Sequence, residues 1–482
     1  YSGELYLELH RGTLTNQAQI KQNNRYAENA LHNLEYILVR EALAAQQEAD
    51  GQEIRPLLNT LLVNQFHDIL PGTCIPEAHS QSLQETAQVI RRAGELLREK
   101  ASVQPEADRI SLVNTLSLER SDVLYLELPE GRVVEGFVQQ RINSVLHGDR
   151  TAVSGVVLPA FSARTLTLTT DAPRSESPFR ADGNSLETPF ALITFDENGA
   201  ISSFIDKAAG RELRGNGYPL NTLLLAEDVP SAWDNWDVDA DLELKFRPAA
   251  KLISRETVSD GGVEYRIRST YQLTEKSTLT QDMIFYADTP EVRFETVMDW
   301  HDNHRFLKTA FDTSIETDFA RHEVQFGCIK RSVNRSTDIE KAKFEVSNQK
   351  YTDLSDTRYG AALLNDCKYG ISVNEGQMRL SLHKGGCRPD YTGDHGRHTC
   401  VYSFLPHAGA FSAETVVHPA YRLNVPPVQL AGSYAQESLL SIGSSNILAE
   451  TVKPCEDGGR AFILRLYECE GAYTRTELRV NG

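Results

Sequence analysis

The hydrophobic period changes once along this chain, near residue 110, and that change limits the folds open to it. Before it, apolar residues recur at helical spacing. Ile20, Ala27, Leu31, Leu34, Leu38 and Ala42 do so between about Asn16 and Glu48, and Leu58, Leu61, Leu62, Phe66 and Ile69 between Glu53 and Ile69. Leu83, Ala87, Ile90, Ala93, Leu97 and Ala101 follow Pro76 in the same way. Pro71-Gly72 stops the second segment, and Pro76 suits the first turn of the third. Short connections between three such segments favour an antiparallel three-helix bundle. After residue 110 the chain alternates, as in Val123–Leu128, Arg164–Thr169, Thr278–Tyr286 and Val292–Trp300, with a hairpin around Asn198-Gly199. Helical patterns do not return between strands, so a large antiparallel sandwich is expected. The predicted class is α+β multidomain: an antiparallel three-helix bundle followed by all-β sandwich domains.

At 482 residues the chain is too long for one core. Its expected division is a strand and loop over 1–15, the bundle over 16–105, a small β-sandwich over 110–170, a Pro- and Ser-rich linker over Asp171–Gly183, a large β-sandwich over 184–432, and a terminal β domain over 433–482. The chain starts at Tyr1, with Glu4–Leu9 patterned like an interior strand, and stops at Asn481-Gly482 just after another strand. Both ends read as cuts made inside a larger protein.

A net charge of −18 and a pI near 5.2 argue against nucleic-acid partners, whose phosphates require Lys and Arg. No apolar run of about 18 residues is present to span a membrane. The seven cysteines are odd in number and none has C-x-x-C spacing, which argues against a thiolate metal cluster and fits a reducing, cytoplasmic compartment.

Chemistry concentrates in Asn64–Thr73, where an adjacent His67 and Asp68 end an apolar helical pattern. From Pro56 to Ile69 the one formal charge is Asp68, and Thr60, Asn64 and His67 make a polar but nearly uncharged stripe. A surface helix normally carries charge on its outer face, so this stripe reads as covered and aimed at a ligand. Imidazole and carboxylate suit a divalent metal, yet two residues do not complete a site; a polar helix end accounts for them as well. His301 and His304 are three apart at a strand end and point to opposite faces, which favours hydrogen bonding at a sheet corner over a shared metal. Asp394-His-Gly-Arg-His398 fits a recognition loop or a solvated one. Trp233-Asp-Asn-Trp-Asp237 fits sugar stacking, or an aromatic corner between domains. No phosphate loop and no nucleophile elbow are visible.

At Asn64–Thr73 the sequence resembles the α-mannosidases of glycoside hydrolase family 38. Gly3–Thr13 with Gln17–Lys21, Val113–Arg120, Asp196–Leu213, Trp233–Asp237, Val297–His301 with Leu307-Lys308, and Ala361–Gly370 resemble successive stretches of the family's bacterial and cytosolic branch, in order. The resemblance implies a retaining, exo-acting α-mannosidase using one divalent metal, most often zinc, with cobalt and manganese as alternatives. It assigns residues 1–15 to the end of the catalytic domain. It implies that His67 is a metal ligand and that Asp68 contacts the sugar, with His10 and Arg11 beside the sugar pocket. Lys384 and Arg388 stand where the family's large sandwich reaches toward the active site, although Lys384-Gly-Gly-Cys387 departs from the family's pattern there. The family's catalytic barrel, with its nucleophile and acid, lies upstream of the matched region. The implied partners are therefore an α-mannoside and the chain's own N-terminal barrel, and self-association stays open. The fragment alone is expected to be inactive. A non-catalytic carbohydrate-binding or interaction module built on the same sandwiches is the alternative.

Overall fold

The computed structural model describes residues 3–481 except Ala172 and Arg174. Tyr1 and Gly482, the ends read as cuts, lie outside the described residues, as do two positions of the Asp171–Gly183 linker.

Three helices come first: α1 (Ala18–Ala44), α2 (Ile54–Asn64) and α3 (Pro76–Lys100). Their apolar stripes meet in one buried cluster that includes Leu31, Leu34 and Leu38 of α1, Ile54 and Leu61 of α2, and Val89, Ala93 and Leu97 of α3. The same cluster takes in Val113, Phe161, Leu430, Tyr434 and Val452, so strands from distant parts of the chain close one side of the helical layer. Near its start α1 has a run of six consecutive buried residues, Ile20 to Arg25, although Lys21, Gln22, Asn23, Asn24 and Arg25 are all polar. Each of three finds a specific partner: Gln22 Nε2 donates to Thr399 O at 2.8 Å, Asn23 Nδ2 to Thr86 Oγ1 at 3.0 Å, and Arg25 to Gln349 Oε1 at 2.8 Å. Leaving such a group buried and unpaired would cost about 1–3 kcal/mol.

Two local expectations change. The second helix stops at Asn64 rather than near Ile69, and 65–72 form consecutive turns. The side chains of Asn64 and Gln65 explain the stop. Asn64 Nδ2 donates to Glu85 of α3 at 2.8 Å and Gln65 Nε2 to Asn24 of α1 at 2.9 Å, so the chain is held to its neighbours where the helix would have continued. Residues 4–9 carry strand alternation but form no strand, because among the described residues no strand pairs with them. Glu4 and Tyr6 turn inward, to Arg331 and Glu345, while Leu5, Leu7 and Leu9 are exposed.

Beyond residue 105 every described strand pairing is antiparallel. In the first β module Arg109–Asn114 pairs with Ser162–Thr169 on one side and Val428–Ala431 on the other. The chain thus returns here from the far end of the stretch expected to be large sandwich. The larger β region contains five-, six- and nine-stranded sheets. Their inner faces share one core, to which Phe204, Phe294, Phe311, Tyr402 and Phe404 contribute stacked or edge-on rings. The predicted hairpin is present, Ala191–Phe195 pairing with Ile201–Asp206. A fully buried Arg266 joins the two β regions. It bonds Glu264, Asp282 and Glu295 at 2.7, 2.9 and 2.6 Å, and those acids accept from Tyr125, from the Val145 amide and from Ser144 of the first β module.

All seven cysteines, Cys387 and Cys400 included, are unpaired thiols. Among the described residues no helix is long and apolar enough to cross a membrane.

Candidate functional site

The turn after α2 owes its position to Gly72. Its φ of +79° suits glycine, and a Cβ there would strike the backbone carbonyl of Asn16 at the start of α1. The turn therefore lies directly on α1. Lys21 Nζ clamps the two together, donating to Asn16 O at 2.6 Å and to Leu70 O at 3.1 Å. On the outer side of this turn stand His67 and Asp68, with side chains 75% and 50% exposed and His67 Nε2 3.5 Å from Asp68 Oδ2. The polar stripe expected along one helix face does not persist: Asn64 is buried against α3, and His67 lies beyond the helix end.

A second stretch supports the turn from below. Asn235, fully buried, donates from Nδ2 to Gly72 O at 3.3 Å and from its amide to Arg388 O at 3.2 Å. Gly386 has no room for a Cβ because Asn235 Oδ1 occupies that space. The Gly12 amide donates to Trp236 O at 3.0 Å, and the His10 ring stands 4.9 Å from that of Trp236. Four stretches far apart in sequence, 10–17, 66–74, 233–237 and 384–394, thus form one polar knot under His67 and Asp68.

Within it, the residues predicted from sequence divide into two groups. His67, Asp68 and Arg388 face outward, and His10 stacks at the edge. Arg11 and Lys384 are held by internal partners. Arg11 donates to Tyr6 at 3.1 Å and Ala342 O at 3.0 Å, lies 3.8 Å from Asp237 Oδ1, and covers the Phe344 ring. Lys384 has a fully buried side chain paired with Asp228 at 2.8 Å and bonded to Asp234 O at 2.9 Å. Of the tryptophans, Trp233 is 71% exposed and Trp236 is half-buried.

Sequence reasoning missed most of the supporting residues. Burial pushes the Lys21 ammonium down to about 7 and the Asp394 carboxyl up to about 7. His79 Nδ1 meets Asp390 Oδ2 at 3.0 Å, and the Gln17 amide bonds Cys74 O at 3.1 Å. His383 and His398 both donate from Nε2 to the Asp394 carbonyl at 2.9 Å, and burial lowers the pKa of each, which favours the neutral ring. Burial, helped by Lys368, lowers His398 to about 4. The Asp394–His398 stretch is therefore structural at both ends instead of a solvated loop. A five-residue polar run wrapping α1 was the local sign of this site, but such a run looks the same when fully solvated. At the sheet corner His301 and His304 part company, as expected: His301 meets Asp299 at 2.9 Å and His304 meets Asp234 at 3.3 Å.

Imidazole and carboxylate at His67 and Asp68 are donors a zinc-type cation accepts, and both are open to solvent. Among the described residues no third His, Cys, Asp or Glu joins them within ligating distance, whereas a metal needs three or four. The pair fits a metal as one part of its site.

Comparison with known proteins places these features. Residues 186–392 match the glycosyl hydrolases family 38 C-terminal domain, and residues 8–103 match the alpha mannosidase middle domain. The chain is 32% identical over 495 residues to alpha-mannosidase 2C1 of Homo sapiens, an alignment covering 98% of this chain and 45% of that protein. It is 30% identical over 528 residues to alpha-mannosidase G of Dictyostelium discoideum, covering 98% and 48%. The chain thus spans somewhat under half the length of these relatives. A solved alpha-mannosidase from Enterococcus faecalis shares the fold, with a TM-score of 0.80 at 14% identity over 98% of this chain and 64% of that one.

Proposed function

Because the chain belongs to glycoside hydrolase family 38, as the middle and C-terminal domains of its members, we propose that it is the C-terminal part of a retaining, metal-dependent exo-α-mannosidase that hydrolyses terminal α-linked mannose. The observation that carries this reading is the exposed His67–Asp68 pair on a turn locked from beneath by Gly72, Lys21 and Asn235. Rigid support under two solvent-facing donors is what a site needs when its remaining groups come from another body.

In this reading the three helices are the predicted bundle, and residues 1–15 end the catalytic domain. The remaining divisions are proposed with the bounds given above, Val428–Ala431 being grouped with the small module with which it pairs. The missing body is an N-terminal catalytic barrel. Leu5, Leu7, Leu9 and Phe66, between 54% and 87% exposed, support such a cover. The barrel supplies the nucleophile, the acid/base and the other metal ligands. His67 holds the cation, preferentially zinc, which when bound acts as a Lewis acid toward sugar oxygens. Asp68 accepts a hydrogen bond from a sugar hydroxyl, and His10 and Arg388 border the pocket. Arg11 and Lys384 act by holding the loops, since their charged ends are already bonded within the protein. The working compartment is the cytoplasm.

The test is turnover of an aryl α-mannoside. The 482-residue chain alone should show none. The same chain joined to its N-terminal region should show chelator-sensitive turnover that His67→Ala abolishes. Chelator-sensitive turnover by the 482-residue chain itself would refute the division of labour.

A second reading draws on the exposed Trp233 beside Asp234: a carbohydrate-binding surface independent of any metal. Mannoside binding that survives both His67→Ala and chelation would favour it.

A further inference from the structure

Three neighbouring strands of the six-stranded sheet reach the same edge. Glu227, at the end of Thr222–Glu227, pairs with Arg305, at the start of Arg305–Asp312, and the next residue, Phe306, pairs with Lys384, at the end of Gln377–Lys384. The connections leaving these strands therefore emerge side by side. They are tied by backbone bonds from the Asp228 amide to His304 O at 2.9 Å and from the His304 amide to Gly385 O at 2.6 Å. This arrangement brings Asp234, His304 and Cys387 together. Their ligating atoms, a carboxylate oxygen, an imidazole nitrogen and a thiol sulfur, all lie within 4.8 Å of one another.

Asp234 organises the group. Its Oδ2 accepts from the Cys387 amide at 2.9 Å and lies 3.3 Å from His304 Nε2. Its Oδ1 is buried and has no hydrogen-bond partner among the described residues. A buried carboxylate oxygen left without a donor costs about 1–3 kcal/mol, so a ligand for it would be stabilising. The spacing suits a shared cation, since two ligands on a tetrahedral zinc stand about 3–4 Å apart. The charge balance suits one too. Lys384 is already paired with Asp228, which leaves the Asp234 carboxylate and a Cys387 thiolate to neutralise two positive charges.

We propose that Asp234, His304 and Cys387 form a binding site for a zinc-type divalent cation, with the fourth position open to solvent. Mixed S, N and O donors select a borderline-soft cation over calcium or magnesium, which take oxygen. Binding converts the Cys387 thiol to a metal thiolate and releases its proton to solvent, with no change of oxidation state. The site uses none of the groups assigned above to sugar or metal at His67.

Cobalt(II) is the probe. Titrated into the purified 482-residue chain, it should give a thiolate-to-cobalt charge-transfer band with the intense visible absorption of a four-coordinate ion. Zinc should displace it. Cys387→Ser should remove the band, His304→Ala should weaken binding by at least about tenfold, and His67→Ala should leave the band in place. Absence of the band, or its survival in Cys387→Ser on one of the other cysteines, overturns the proposal. A measurement on the unaltered chain avoids dependence on how the variants fold. Zinc should slow iodoacetamide alkylation of Cys387, followed by peptide mass spectrometry, and an unchanged rate overturns the site as well.

Discussion

Replacing Gly72 with alanine tests whether close approach to α1 is what places the His67–Asp68 turn. Two costs add. An L-residue at φ +79° is disfavoured by roughly 1–2 kcal/mol. The new methyl also strikes the Asn16 carbonyl, and that backbone cannot yield easily, because Asn16 is fully buried and its carbonyl is held by Lys21. The turn must instead back away by about 1 Å to reach ordinary van der Waals separation, and overpacking of this kind costs roughly 1–3 kcal/mol. The expected destabilisation is about 2–5 kcal/mol, read from the urea midpoint of the helical circular-dichroism transition. A displacement of that size at the tip should lower kcat/KM of the intact protein on an aryl α-mannoside by about 100-fold. Gly131→Ala separates the two costs. Its φ of +71° is equally unsuited to alanine, but nothing lies within 4 Å of the new Cβ. It should lose only about 1–2 kcal/mol and keep its turnover. If Gly72→Ala proves no worse than Gly131→Ala in both assays, packing against Asn16 does not position the site.

Two further outcomes follow from buried charge. Arg266→Met strands the Glu264 and Glu295 carboxylates, at most 5% exposed, and leaves Asp282 to Arg268 alone, so it should cost about 3–5 kcal/mol in the β-sheet transition; Arg92→Met, at an exposed ion pair on α3, should leave the midpoint where it was. His398 titrates near 4 in the folded protein against about 6.5 unfolded. Between those values the unfolded chain binds the proton and the folded one does not, so stability falls as pH drops from about 6.5 to about 4, by roughly 3 kcal/mol in total. His398→Gln keeps a donor for the Asp394 carbonyl but cannot titrate, so its stability should be flatter across that window. An unaltered acid slope would refute this assignment.

Much of the architecture is local and could be read directly. The change of hydrophobic period at residue 110 separates the three long helices from the strands, although short helices at Asp338–Ala342 and His418–Asn424 return between strands against expectation; Pro76 begins α3, and the Asp196–Gly199 turn closes its hairpin, with Asp196 Oδ1 accepting from the amides of Asn198 and Ala200. These signals depend on neighbours within a few residues, so a linear pattern carries them. The adjacent His67 and Asp68, ahead of a Pro-Gly break, were legible for the same reason.

What lies around that pair was not. Lys384 and Arg11 have the charge and exposure propensity of surface residues, yet partners more than a hundred residues away draw both inward. Residues 4–9 have the alternation of a strand, but a strand exists only where another supplies hydrogen bonds. The Asn24–Gln65 and Asn64–Glu85 bonds end α2 early and leave His67 and Asp68 on a turn. The sequence by itself determined the order of the long helices and the main strands and which two residues carry the conspicuous chemistry. Tertiary structure alone decided which polar groups are buried, which face out, and which distant donors meet, because those outcomes depend on contacts that no local period encodes.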